Sequence, residues 1–395
     1  MVEINPPMWG RALARAANQL VEGELVLRFA NGAERSISAA KSGARAVLEL
    51  TNARVLPRMI FKGTVGLAES YLDGDWSSPD LAAVFEFGAR NFDRMAGNLR
   101  GLAPLRLLNL SRHRARANTR EGAKRNIAAH YDLGNAFYSA WLDPTMTYSS
   151  AFFERDAMDL ESAQRAKWRR IAEMLDLKPG HHILEIGCGW GGFAIHAARE
   201  LGCRVTGITL SLEQYAHATS EVSRLGLADL IDIRIQDYRD VTESFDRIVS
   251  IEMFEAVGEE NWPVFFEAVR ERLKPGGIAA LQIITIEDAH FASYRSSADF
   301  IQLYIFPGGM LPSPGILRTI ATGQGLGFET VRTFALSYAE TLKRWRERFQ
   351  SRWPEIAEQG FDERFRRMWE YYLAYCEGGF RAGTIDVGQF RLTRA

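Results

Sequence analysis

Residues 183–192 read Ile183-Leu184-Glu185-Ile186-Gly187-Cys188-Gly189-Trp190-Gly191-Gly192. An apolar run that meets a glycine-rich turn and passes into the amphipathic stretch 193–201 predicts strand, turn and helix. Gly187 and Gly189 let the main chain bend sharply and admit a ligand close to it. The chemistry this favours is binding of a nucleotide-like cofactor. The spacing also fits a dinucleotide fingerprint, which wants an acidic residue about 20 positions further on, at the tip of the second strand. That tip reads Thr209-Leu210-Ser211, without a carboxylate. Glu185 stands just before the glycines, where it can meet a cationic methionine end, and Asp237 follows a third strand, placed to accept from an adenine amino group. The residues therefore favour S-adenosylmethionine (SAM) over NAD.

These groups must be held by an alternating framework. Strands are expected over 203–209, 231–235, 245–251 and 278–286, with helices over 160–175, 211–225 and 259–273. Such alternation predicts a parallel sheet covered by helices, with ligands at the carboxyl ends of the strands. A long aromatic insertion, 287–314, reads as a lid or pocket wall. Beyond it come a strand over 328–334, helices over 339–350 and 361–377, and a last strand over 385–392.

The first 100 residues carry a separate pattern, an accessory domain: a helix over 9–21, a hairpin about Asn31-Gly32, strands over 47–50 and 59–61, and a helix over 79–90. Residues 101–125 form a basic linker between it and a catalytic domain over 126–395. Arg100, Arg106, Arg112, Arg114, Arg116, Arg120, Lys124 and Arg125 face one acid, Glu121, and a leucine run precedes the densest charge. The segment reads as a solvated linker or, for a lipid substrate, as a membrane-surface contact, each basic residue contributing about 1 kcal/mol near an anionic leaflet.

The chain has 395 residues, a net charge of −1 and three cysteines without a C-x-x-C pair. No global field favours nucleic acid, and neither a disulfide framework nor a zinc site is expected. There is no apolar run of about 18 residues and no signal-peptide order at the N-terminus. The expected location is cytoplasmic, with peripheral association to the inner membrane face.

From about Gly66 onward the chain resembles the cyclopropane fatty acid synthase family, SAM-dependent enzymes that methylate carbon–carbon double bonds of fatty acyl chains. The ordered motifs that carry the resemblance are Glu69-Ser70-Tyr71 with Gly74 and Trp76; His130-Tyr131-Asp132; Met146 with Tyr148-Ser149; 184–192; Thr209-Leu210-Ser211 with Gln214; Gln236-Asp237-Tyr238; 245–250; and 304–309 with Leu311-Pro312-Ser313. The resemblance implies a class I SAM-dependent methyltransferase, α/β and Rossmann-like, with a seven-stranded, mostly parallel sheet and a small N-terminal domain. It also implies a homodimer. Tyr148, Ser149, Gly187, Gly189, Thr209, Leu210, Gln214, Asp237 and Tyr238 fall on the family's SAM-binding motifs, beside the Glu185 already singled out.

The family also binds bicarbonate near the transferred methyl, and Glu255, the Ile284 backbone and Tyr338 match its ligands. Ser150 and Gln282 replace a cysteine and a histidine, keeping hydrogen-bonding ability and losing an ionisable group. Glu252 stands where the bacterial motif has glycine. With Gln282 and 294–300 it resembles a second subgroup that includes plant-type cyclopropane synthases. Its carboxylate is expected to supply the place, or part of the charge, of the bicarbonate; the alternative is a buried ion pair with Arg295.

The implied reaction is methyl transfer to the double bond of an unsaturated acyl chain of membrane phospholipid, through a carbocation that a base converts to a cyclopropane. Tyr148, Phe152, Phe254, Tyr304, Phe306 and Tyr338 are candidates to stabilise the cation, and Glu255 with bicarbonate or Glu252 to remove the proton. His130 reads as structural. Proton loss after a hydride shift would give a methylene-branched chain instead. A third reading, from another class, is a lipid- or SAM-binding protein without catalysis.

Overall fold

The computed structural model describes residues 5–10, 20–92, 102–116, 118–131 and 133–395. Most of the helix expected over 9–21, Arg100, Asp132, and the side chains of Arg114, Lys124, His130 and Tyr131 lie outside the described residues. The chain divides into two compact units. One comprises Met1–His113, Ser296–Ile305 and Leu342–Ile385; the other Arg114–Arg295, Phe306–Thr341 and Asp386–Ala395.

In the first unit, β1 (Glu22–Phe29), β2 (Glu34–Ser38), β3 (Lys41–Leu50) and β4 (Trp76–Ser77) form a sheet in the order β2-β1-β3-β4. Its buried positions include Val26, Leu27, Ala46 and Trp76. The helix Leu81–Arg90 is capped by Asp80, whose side chain accepts from the Ala83 N–H at 3.1 Å, satisfying one of the free donors of the first turn. It packs against the helix Glu363–Ala382: Phe85 meets Tyr371 edge-on at 4.7 Å, and Gly378 lets the two elements approach. Residues 342–385 therefore belong with the N-terminal residues by packing, although they are distant in sequence.

The strand expected over 59–61 is instead part of the helix Val55–Leu72, kinked at Gly63. Val55, Met59, Gly63 and Gly66 are buried at spacings of three and four, a helical period that a three-residue reading misses. The Glu69-Ser70-Tyr71 motif lies on this helix. The Tyr304 hydroxyl donates to Glu69 at 3.1 Å, and Tyr71 lies under the Arg367 guanidinium at 4.0 Å. That motif thus holds the 296–305 segment and the 363–382 helix within its own unit.

The second unit is built on a seven-stranded sheet of β5 (His182–Ile186), β6 (Arg204–Thr209), β7 (Ile231–Ile235), β8 (Phe245–Ile251), β9 (Leu273–Ile286), β10 (Leu326–Thr333) and β11 (Ile385–Arg394). The order is β10-β11-β9-β8-β5-β6-β7. Strands β5 to β9 pair in parallel, and β10 pairs antiparallel with β11. The central strands are largely buried, which is why their middle positions are mostly apolar. One face packs Phe265, Phe266, Val269 and Leu281, the other Phe193, Ala197, Val205 and Ile231. Each large apolar side chain buried there contributes about 1.5–3 kcal/mol. After β5 the chain runs outward through β6 and β7, then returns to the other side of β5 as β8. That reversal opens a crevice at the carboxyl ends of β5 and β8.

Candidate active site

The crevice is a cleft enclosing about 980 Å3 of free space, part of it open to solvent. Tyr148, Ser149, Glu185, Gly187, Gly189, Thr209, Leu210, Gln214, Asp237, Tyr238 and Glu252 all line it. Residues 287–314 are not among the lining residues.

Local sequence explains the convergence. Gly187 and Gly189, at φ 82° and 53°, turn the chain off β5. A Cβ added at Gly189 would meet nothing within 4 Å, so the main chain borders open space there. Ser211 caps the helix Leu212–Arg224 by accepting from the Gln214 N–H at 3.2 Å, and the Thr209 hydroxyl donates to Gln214 Oε1 at 2.8 Å. Gln214 is thereby fixed at the cleft floor. Asp237 starts a short turn after β7; its two oxygens accept from Arg239 at 2.8 and 2.6 Å. Burial works to raise its pKa, but the Arg239 contacts outweigh it and hold the carboxyl below its ordinary value.

Two buried groups in the cleft have polar atoms with no partner: Glu185 Oε2 and the Tyr238 hydroxyl. Leaving such atoms unpaired costs about 1–3 kcal/mol each, which a ligand in the cleft could offset. Burial pushes the Glu185 carboxyl up to about 8 and the Tyr238 phenol up to about 12. These residues fit SAM: an unpartnered carboxylate for an ammonium, carboxylate and amide oxygens for a sugar or adenine, and an open glycine turn between them.

In the wall of this pocket stands Glu252, just after β8. Its backbone holds φ 52°, an unusual conformation for a side chain other than glycine. Its carboxylate accepts from the Ser150 N–H at 2.8 Å, the Gln282 amide at 2.8 Å and the Tyr338 hydroxyl at 2.5 Å. Gln282 is steadied in turn by Gln389, whose amide donates to its oxygen at 3.1 Å. Ser150, Gln282 and Tyr338 thus reach the cleft through Glu252 rather than lining it. Arg295 donates to Glu259 at 2.7 Å, so the expected alternative, an ion pair with Glu252, is not formed.

Glu255 accepts from the Ile284 N–H through one oxygen, while its other oxygen is buried without a partner. Burial, and then the neighbouring Glu252 charge, push Glu255 up to about 8. Burial also raises Glu252, but the Lys167 charge and the bonds from Tyr338, Gln282 and Ser150 work against it. Both carboxyl groups end above their ordinary value, Glu255 at about 8, and the Lys167 charge with the three donors makes Glu252 the better candidate for the anion of the pair.

Of the aromatic candidates, Tyr148 lines the cleft. Phe254 is core, packed on Trp262 at 5.6 Å and Phe265 at 5.1 Å. Phe152 lies between the guanidinium groups of Arg170 and Arg332, a poor place to receive a third cation. Tyr304 is engaged with Glu69 in the other unit, and Phe306 is not among the lining residues.

Sequence reasoning missed Lys167 and Gln164 on the helix Leu160–Met174. Lys167 Nζ donates to Ser149 Oγ at 2.7 Å and Gln164 Oε1 at 2.6 Å, and Gln164 Nε2 donates to the Ser149 carbonyl at 2.9 Å. The available signal was their position inside the apolar stripe of Leu160, Ala163, Trp168 and Ile171, where a polar pair needs a partner.

Residues 118–390 match the family model of mycolic acid cyclopropane synthetase. The chain is 42% identical over 346 residues to tuberculostearic acid methyltransferase UfaA1 of Mycobacterium tuberculosis, covering 84% of this chain and 79% of that protein. It is 40% identical over 365 residues to cyclopropane-fatty-acyl-phospholipid synthase of Escherichia coli, covering 90% of each. The crystal structure of mycolic acid cyclopropane synthase CmaA1 complexed with SAH and CTAB superposes with a TM-score of 0.64 at 33% identity, over 69% of this chain and 98% of that one.

Proposed function

Since the chain belongs to the mycolic acid cyclopropane synthetase family of SAM-dependent methyltransferases, we propose that it methylates the double bond of an unsaturated fatty acyl chain in a membrane phospholipid and closes a cyclopropane ring. The observation that carries this reading is Glu252, a half-buried carboxylate presented to the cleft on three hydrogen-bond donors.

Bound SAM supplies the electrophilic methyl group. Glu185, Gln214, Asp237 and Tyr238 would hold it, with Gly187 and Gly189 allowing close approach. Ile186, Trp190, Phe193, Ile251 and Met253 line the remaining walls with apolar surface, which keeps water from a carbocation that it would otherwise quench to an alcohol. Tyr148 offers a ring face to that cation. Glu252, oriented by Ser150, Gln282 and Tyr338, accepts the proton released on ring closure. On this reading the Glu252 carboxylate takes the place of bicarbonate.

The decisive experiment is proton NMR of lipids extracted after the protein acts with SAM on unsaturated phospholipid vesicles. High-field cyclopropane methylene signals are the expected result. Vinylidene signals would establish the second reading, a methylene-branched product, which the 42% identity to a tuberculostearic acid methyltransferase favours. SAM binding without any product would leave a binding protein.

A peripheral membrane site in the first unit completes the proposal. Among the described residues no helix is long and apolar enough to cross a bilayer. Ile60, Phe61, Leu102, Leu107 and Leu108 are 45–66% exposed, and the Leu102 N–H donates to the Phe61 carbonyl at 2.9 Å, which brings the two segments together. Arg112 follows Leu108 by one turn on the exposed face of the helix Ala103–Arg114. An apolar patch edged by a cation suits an anionic leaflet. Replacing Leu107 and Leu108 together with Asp is expected to weaken sedimentation with anionic vesicles by roughly 100-fold, since each leucine contributes about 1.5 kcal/mol or more when buried. Unchanged sedimentation would remove the patch from the proposal. A homodimer, implied by family resemblance, is to be tested by light scattering.

A further inference from the structure

Lys167 is fully buried, and both its hydrogen-bond partners, Ser149 Oγ and Gln164 Oε1, are neutral. A buried ammonium without a carboxylate in contact is costly to keep. It is not among the residues that line the cleft, so it does not meet the ligand there. The charges that face it come from three different elements: Glu252 after β8, Asp143 in the loop before Thr145, and Glu185 in β5, and all three attract it. Asp143 is already satisfied by the N–H groups of Thr145 and Thr147 and the Thr145 hydroxyl, and Glu185 lies in the cleft with one oxygen open for a ligand. Glu252, half-buried in the cleft wall, is the carboxylate whose charge the reaction needs.

Geometry connects the two. Lys167 grips the Ser149 side chain, Gln164 grips the Ser149 carbonyl at 2.9 Å and the Thr147 carbonyl at 3.4 Å, and the next residue, Ser150, donates its N–H to Glu252. One loop, 147–150, therefore has its inner side on the Lys167 pair and its outer side on the carboxylate.

We propose that Lys167 is a positioning residue for this reaction: through the 147–150 loop its buried positive charge keeps Glu252 in the carboxylate form, while Gln164 fixes the course of the loop. This rests on the reading of Glu252 as proton acceptor. Three other groups act on Glu252: Tyr338 and Gln282, which donate to it, and Glu255, whose own ionisation it opposes. Burial lowers Lys167 to about 8, with Glu252 the largest influence opposing that fall; the charge is thus present at neutral pH and begins to be lost just above it.

The test compares Lys167→Met, Glu252→Gln, the double variant and Gln164→Leu in the full chain, by thermal midpoint and by the pH dependence of kcat. Lys167→Met should move the acidic limb of kcat upward by about one pH unit or more, because losing a nearby positive charge makes the carboxylate easier to protonate. Gln164→Leu should raise KM for SAM and leave the limb in place. Should Lys167→Met fold poorly, the double variant still decides. Removing both charges should restore the thermal midpoint well above that of Lys167→Met, a coupling that distant sites do not show. A limb that stays where it was, or a double variant no more stable than Lys167→Met, overturns the proposal, as does recovery by Asp143→Asn or Glu185→Gln in place of Glu252→Gln. Full activity of Glu252→Gln would instead sink the proton-acceptor reading, while the stability cycle would still report whether the two charges are coupled.

Discussion

In buffer stripped of bicarbonate the enzyme is expected to turn over at its full rate, whereas Glu252→Gly should be slower by about 1,000-fold and should recover when bicarbonate is returned. The size follows from removing a positioned base, an effect of about 10²–10⁴ in rate. The change suits the backbone, because Glu252 holds φ 52°, which glycine adopts freely. It empties the space between the Ser150 N–H, the Gln282 amide and the Tyr338 hydroxyl, leaving donors that each lose about 1–3 kcal/mol without a partner. A small planar anion can satisfy them. Steady-state rates with and without added bicarbonate check this, and a bicarbonate requirement in the unaltered enzyme would refute the substitution of one anion by the other.

Gly189→Ala should abolish useful SAM binding in a protein that remains folded. The added carbon meets nothing within 4 Å, so the cost to the fold is that of a left-handed alanine, about 1–2 kcal/mol. The carbon projects into the open cleft, and we expect Kd for SAM to rise by about 100-fold, near 2.7 kcal/mol. Gly187→Ala is the contrasting case. Its Cβ would sit 2.8 Å from Met253 Cγ, so folding and binding should fall together. Calorimetry on both variants, with thermal midpoints alongside, separates the two; normal binding to Gly189→Ala would remove the cleft as the cofactor site.

The parallel sheet and its cleft were legible because their causes are local. Strand β5 is apolar apart from His182 and Glu185, the glycines follow it directly, Thr209, Asp237 and Tyr238 sit at or just after strand ends, and Gln214 lies in the first turn of the helix after β6. The site behind the cleft was legible only as a set of replacements. Ser150, Glu252 and Gln282 are distant in sequence, and that they meet depends on bringing together the 147–150 loop, the turn after β8 and strand β9. Lys167 was harder to read for a different reason: a lysine on a helix usually faces water, and only its place in the stripe of Leu160, Ala163, Trp168 and Ile171 says that this one does not. The helix 55–72 was hidden by its kink at Gly63, which breaks the period into pieces short enough to pass for a strand. The membership of 342–385 in the first unit could not be read at all, since it depends on the helix 363–382 packing against the helix 81–90, far away in sequence. Tyr304 and Phe254 show the same limit, because an aromatic side chain suits a core as well as a pocket.

Strand β11 lies inside the sheet, between β9 and β10, and Gln389 on it holds Gln282 behind Glu252. During synthesis, a ribosome-bound chain can assemble β5 to β9 and the glycine turn long before residue 389 is available. It has the means to hold a cofactor well before it has the means to hold its anion in place. Until β11 inserts, β9 presents an open edge, which other chains can pair with. Translation that stalls within the last tenth of this sequence should therefore yield aggregation-prone chains with a nearly complete cofactor cleft and no turnover, so the chemistry is licensed by the final strand to join.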